Sequence, residues 1–204
     1  LLLELHRYAK EKEGLDIQFY PSGQVNEQGN LKDPRLLFRL MGYSECLGND
    51  GFLKVMGRFL RGANLGGANL GGANLRSASL RSASLRGAGF RSASLRGADL
   101  QYADLRGADL QYTDLRGADL RSASLRSASL RGAGFRSASL RGADLQYADL
   151  RDADLLAADL SGADLSGANL KYANLKHANL RGGVDKIIWD KTTKWENVRR
   201  LETA

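Results

Sequence analysis

The chain has little of what catalysis and metal binding usually draw on. Among 204 residues there are one cysteine, Cys46, and two histidines, His6 and His177. A lone thiol excludes an intrachain disulfide and a multi-cysteine metal site, and it suits a reducing compartment. Neither histidine sits in a Cys/His pattern with metal-ligand spacing, so no metal and no cofactor is expected. The only prolines, Pro21 and Pro34, precede residue 60. No stretch nears the roughly 18 unbroken apolar residues of a membrane-spanning helix. The opening Leu-Leu-Leu-Glu-Leu meets His6, Arg7 and Lys10 too soon for a signal peptide. The chain starts on Leu1 rather than Met, so a fragment or a processed form is the expectation, with a cytoplasmic location.

What the chain has is a period of five. From Leu65 to Leu180 a leucine or phenylalanine fills every fifth position, 24 in succession, and alanine stands two residues before nearly every one. Five fits neither the 3.6 of an amphipathic helix nor the 2 of a strand, so the backbone must turn a corner every pentad and coil into a solenoid. The unit reads x-x-Ala-(Asn/Asp/Ser/Gly)-Leu, and only Thr113, Phe90 and Phe135 break its two inward positions. Each buried leucine contributes roughly 1.5 to 3 kcal/mol, so the core alone accounts for the repeat. Alanine is needed at the second inward position because a larger group at every corner would overfill a narrow tube.

The units Gly-Ala-Asn-Leu, Gly-Ala-Asp-Leu, Tyr-Ala-Asp-Leu and Tyr-Ala-Asn-Leu resemble the A-(D/N)-L-x-x motif of the pentapeptide-repeat family over about 60% of the chain. That resemblance implies an all-β solenoid, a right-handed quadrilateral β-helix with four pentads per coil. Twenty-four pentads then make about six coils, a rod of roughly 29 Å at about 4.8 Å per coil. It also implies that the Asn/Asp site is a turn-side, hydrogen-bonding position and that terminal segments close the solenoid.

Three segments are expected: 1–60 as a mainly helical N-terminal cap or a remnant of an upstream domain, 61–183 as the repeat, and 184–204 as a short C-terminal cap. Leu1, Leu2, Leu5 and Tyr8 recur at helical spacing, and Asp33 with Pro34 opens a second helix. Phe52, Val55, Met56 and Phe59 would plug one end of the tube, and Ile187, Ile188, Trp189 and Trp195 would cover the other.

The formal charge of +7 lies mostly in the repeat, where 17 basic side chains face 11 acidic ones. Residues twenty apart should stack, and one column reads Arg76, Arg96, Arg116, Arg136, Leu156, Lys176. The four arginines are the candidate anion contact, since only Arg116 has a carboxylate, Asp114, two residues back. Copying of a convenient Arg-Ser or Arg-Gly unit as a solvated face would give the same column. Tyr102, Tyr112 and Tyr147 fall on three different faces and make no stacking platform. Residues 76–105 and 121–150 are one identical string, offset by 45 residues or nine pentads. Nine is not a multiple of four, so the second copy is turned by one face and lengthens the rod without extending an epitope.

No catalytic residues stand out. Asp precedes a core leucine ten times, at 99, 104, 109, 114, 119, 144, 149, 154, 159 and 164. Such recurrence marks a structural position, whereas an acid–base pair needs one distinctive environment. The serines repeat without a unique Ser, His and Asp set, and the glycine-rich run at 66–72 lacks the lysine of a phosphate loop. The expectation is a non-catalytic scaffold or protein-interaction module with a protein partner. A polyanion or nucleic acid bound by the arginine column is the alternative, and a homodimer through a flat face or an end is compatible with either. The resemblance further suggests modulation of DNA gyrase by mimicry of the duplex, which the positive charge of the repeat disfavours.

Overall fold

A pentad has five backbone N–H groups, and where each finds its acceptor explains the architecture. The structure is a computed structural model that describes residues 61, 62 and 64–182. The helices, plug and covering residues expected in 1–60 and 184–204 lie outside the described residues. Within the repeat, Ala78 N–H donates to the Leu75 carbonyl (3.1 Å), closing a turn in which Ser77 has φ of 56°. A positive φ at the third residue alone defines a type II turn, and it recurs at every corner. Serine, tyrosine, Asp152, Ala157 and His177 hold this left-handed conformation as well as glycine does. Each non-glycine residue there costs about 1 kcal/mol, which the surrounding ladder offsets.

Three further N–H groups run between coils. Ser77 donates to Arg96 O (2.9 Å) and Leu80 to Asp99 O (2.7 Å), while Asp99 donates back to Ala78 O (2.9 Å). Pairing is parallel and always twenty residues apart, from Asn64 with Ser84 to Asp159 with Asn179. Four pentads therefore make one coil, and six coils stack as 61–80, 81–100, 101–120, 121–140, 141–160 and 161–180.

The fifth N–H belongs to the residue after the leucine, and where Asp or Asn precedes that leucine its side chain supplies the acceptor. Asp99 Oδ1 takes the Gln101 N–H at 3.1 Å, and all ten aspartates before a core leucine make the same bond. So do Asn64, Asn69, Asn74, Asn169, Asn174 and Asn179. This is why the motif prefers Asp or Asn there: the short side chain reaches the one donor the ladder leaves over.

Inside the tube, leucines from 65 to 180, Phe90 and Phe135 are buried together with the inward alanines from 68 to 178, of which Ala73 in the first coil is only partly covered. Thr113 is the one buried polar side chain among the described residues, and its hydroxyl donates to Phe90 O at 2.8 Å. Phe90 stands in the column of Leu70 and Leu110, whereas Phe135 stands in that of Leu115 and Leu155. The duplicated string is thus turned by a quarter between its copies, as its offset requires.

Candidate interaction surface

With leucine and alanine pointing inward, the two residues after each leucine carry the surface chemistry. The structure stacks Arg76, Arg96, Arg116 and Arg136 on one face, through pairing of Asn74, Ser94, Asp114, Gly134 and Asp154 in successive coils. The four arginines do not share one environment. Arg116 forks onto Asp114, with Nε 2.8 Å from Oδ1 and Nη2 2.6 Å from Oδ2. Arg136 reaches to the next coil, its Nε 3.9 Å from Asp154 Oδ2. Arg76 and Arg96 form no ion pair with another described residue.

Other faces repeat the Arg116 arrangement. Arg106 pairs with Asp104 (2.5 Å), Arg121 with Asp119 (2.7 Å) and Arg151 with Asp149 (2.6 Å). A half-exposed pair of this kind contributes about 0 to 1 kcal/mol, so these set side-chain positions more than stability.

A second arrangement was not anticipated from the sequence. Arg81 lies over the Tyr102 ring, 4.9 Å from its centroid, and hydrogen-bonds Gln101. In the second copy Arg126 lies over Tyr147 (5.1 Å) and hydrogen-bonds Gln146. Arg91 lies over Tyr112 at 5.9 Å. Gln101 then donates to Asp119 at 2.8 Å and Gln146 to Asp164, tying three charged or polar groups across coils. The next coil leaves room for the ring: a Cβ on Gly132 or Gly167 would come within 2.7 Å of Tyr112 or Tyr147. The tyrosines are therefore occupied as lids over arginines. The signal in the sequence is Gln-Tyr replacing Arg-Gly or Arg-Ser at 101, 111 and 146, each twenty residues after an arginine.

Hydrogen bonding tunes the carboxylates. Side-chain bonds from Arg106, Arg116 and Arg151 hold Asp104, Asp114 and Asp149 below the usual carboxylate range, against desolvation. Desolvation pushes Asp119 up, but Arg121 and Gln101 outweigh it and the net shift is downward. Asp164 is lowered by Ser166 and then Gln146. A depressed folded pKa contributes stability that is present above the unfolded value of about 3.9 and is lost as pH falls through the folded values. The melting temperature is accordingly expected to drop progressively below about pH 4. Replacing Asp104, Asp114 and Asp149 by Asn keeps the turn bond and should flatten that acid limb in thermal circular dichroism; an unchanged limb would contradict it.

Charge is also distributed along the axis. Residues 61–98 carry six arginines and no acid, a net +6, whereas residues 99–182 carry eleven basic and eleven acidic side chains. The first two coils, which include Asp99, therefore carry a net +5, and the next four carry ten charges of each sign. Among the described residues, no group of three His, Cys, Asp or Glu side chains is placed to hold a metal ion. No helix there is long and apolar enough to cross a membrane.

Comparison with known proteins points to one family. The sequence signature of pentapeptide repeats matches in eight copies, over residues 60–97, 90–126, 118–155 and 148–183. No curated protein sequence matches the chain. Among solved structures it is similar to HetL, a pentapeptide repeat protein involved in heterocyst differentiation regulation from the cyanobacterium Nostoc sp. strain PCC 7120. Identity is 32%, over 68% of this chain and 70% of that one, with a TM-score of 0.38. Rfr23 from the cyanobacterium Cyanothece 51142 is 29% identical over 66% of this chain and 89% of its own, with a TM-score of 0.35. A trypsin-treated variant of QnrB1, a plasmid-mediated fluoroquinolone resistance protein, is 20% identical over 66% and 78%, with a TM-score of 0.44. The signature, the four-pentad coil and the Leu/Ala interior lead to one conclusion: the chain belongs to the pentapeptide-repeat family, whose members fold as right-handed quadrilateral β-helices.

Proposed function

We propose that the chain is a non-catalytic scaffold or protein-interaction module that contacts a protein partner through the flat faces of its rod. The observation that carries this reading is that recurring polar groups already have structural tasks. The ten motif aspartates cap turns, Thr113 Oγ1 bonds Phe90 O, and the interior is otherwise leucine, alanine and phenylalanine. What varies from coil to coil is the outer pair of residues, and those present fixed charges and half-exposed tyrosines at Tyr102, Tyr112, Tyr147 and Tyr172. A rigid, patterned exterior suits recognition rather than turnover. The test is photo-crosslinking under native salt from a benzophenone residue placed at Tyr102, Tyr112 or Tyr147, which sample three faces. A discrete adduct from one face and not the others is the expected result. Equal adducts from all three, or no reproducible adduct, would leave this reading without support.

A further inference from the structure

We propose that the first two coils form a binding girdle for the phosphate backbone of double-stranded nucleic acid, and that the second copy of the same arginine string does not. The inference is independent of a protein partner. It rests on Arg61, Arg76, Arg86 and Arg96, which stand with Arg81 and Arg91, the two held over Tyr102 and Tyr112, in a stretch of 38 residues without a single carboxylate.

The two copies of the string carry arginines at matching positions but in different surroundings. Arg76 and Arg86 correspond to Arg121 and Arg131, 45 residues on. In the second copy Arg121 is held by Asp119 at 2.7 Å and Arg131 by Asp152 at 3.1 Å. Coil four lies between coils three and five, which hold nine of the eleven aspartates at 104, 109, 114, 119, 144, 149, 152, 154 and 159. Coil two has the four aspartates of coil three on one side only; on the other it rests on coil one, whose matching positions are Asn64, Asn69, Asn74 and Ser79. Arg76 and Arg86 are exposed and form no ion pair with another described residue. The charge of Arg86 is felt by Asp104, but that carboxylate is already forked by Arg106. The earlier column is thereby divided: Arg76 and Arg96 belong to the girdle, and Arg116 and Arg136 do not.

The chemistry favours duplex phosphate. Every cation of the girdle is an arginine, whose planar fork matches phosphate oxygens in pairs. The residues between are glycine, alanine and serine with core leucines and Phe90, so nothing there reads base edges, and binding should be indifferent to sequence. Single strands are disfavoured because Tyr102 and Tyr112 cover arginines rather than stand free to stack on bases.

The full chain is titrated against a fluorescently labelled random-sequence DNA duplex, with anisotropy read over a range of salt. Log affinity should fall linearly with log salt, by about 0.9 per phosphate contact. Arg76→Gln with Arg86→Gln, two faces apart so that one duplex meets only one of them at a time, should weaken binding about fivefold and reduce the slope by about 1. Arg121→Gln with Arg131→Gln removes the same charge and should change affinity by less than about twofold if their aspartates already occupy them. Melting curves of both double variants check that each is folded, and Arg76→Lys with Arg86→Lys should recover most of the slope. Equal weakening by the two pairs would mean that net charge alone acts, and would overturn the site. Displacement of the duplex by poly-glutamate as readily as by unlabelled duplex would assign the girdle to an acidic polypeptide instead. Absence of binding at about 50 mM salt, where phosphate contacts are strongest, would also overturn it.

Discussion

Leu120→Asp is expected to abolish cooperative folding of the solenoid. Leu120 is fully buried midway along the rod, with Leu100 and Leu140 as its column neighbours. Among the described residues no charged side chain is buried, and the inward positions of this coil and the next hold leucine and alanine apart from Thr113 and Phe135. An unpaired carboxylate there must stay charged without solvent or shift its pKa far upward, and either route costs several kcal/mol beyond the roughly 2 kcal/mol of lost leucine burial. In a solenoid each coil is stabilised by its neighbours, so a break between coils three and four leaves two stacks of three, near the smallest number that holds together. The same change at Leu175, in the last coil, should fray one end and leave most of the β signal. Urea unfolding followed by circular dichroism separates the two cases: loss of a single transition for Leu120→Asp, and a shifted but intact one for Leu175→Asp. Equal, mild shifts for both would refute nearest-neighbour coupling in this rod.

The period of five made a solenoid with leucine inside legible, and the family resemblance supplied its four-pentad coil. The columns were legible through that resemblance, since four pentads per coil stack residues twenty apart. What escaped the sequence was where long side chains go. Arg116 bends back to Asp114 in its own coil, while Arg136, next to Gly134, reaches a carboxylate one coil further on. Spacing places Cα atoms and leaves several χ angles open. The Gln-Tyr lids escaped for a related reason: their partners lie twenty residues away, on the coil below, so Arg81 and Tyr102 are neighbours only once the stacking is known. Charge behaved differently. A face and a coil are two sums over the same residues, and the arginine column conceals that Arg116 and Arg136 each reach an aspartate while Arg76 and Arg96 form no ion pair with another described residue, the carboxylate nearest Arg96, Asp114, being forked by Arg116. Recurrence had already marked the aspartates as structural, and the leftover N–H of each pentad supplies the physical reason.

Phe135→Ala is expected to lower stability by about 3 to 5 kcal/mol, the usual range for emptying a buried phenylalanine site. The ring is fully buried in a column that otherwise holds leucine, with Leu115 on one side and Leu155 on the other. The walls are closed by the inter-coil ladder, Gly134 N–H to Thr113 O at 3.0 Å and Phe135 N–H to Asp154 O at 2.7 Å, so the cavity cannot collapse without breaking backbone bonds. Phe135→Leu, by contrast, restores the residue that fills the rest of the column and should cost no more than about 1.5 kcal/mol. The ordering Ala far below Leu, with Leu near the parent, distinguishes a specific aromatic requirement from simple filling. If Leu proves as damaging as Ala in equilibrium urea unfolding, the tube at coil four is wider than its neighbours and the ring is needed for its shape. If both are mild, the ladder rather than the interior sets stability at this level. The same comparison at Phe90 isolates one more contribution, because there the residue's carbonyl also accepts the Thr113 hydroxyl. Phe90→Ala loosens the strand that positions that acceptor as well as emptying its slot, and is expected to cost as much as Phe135→Ala or more.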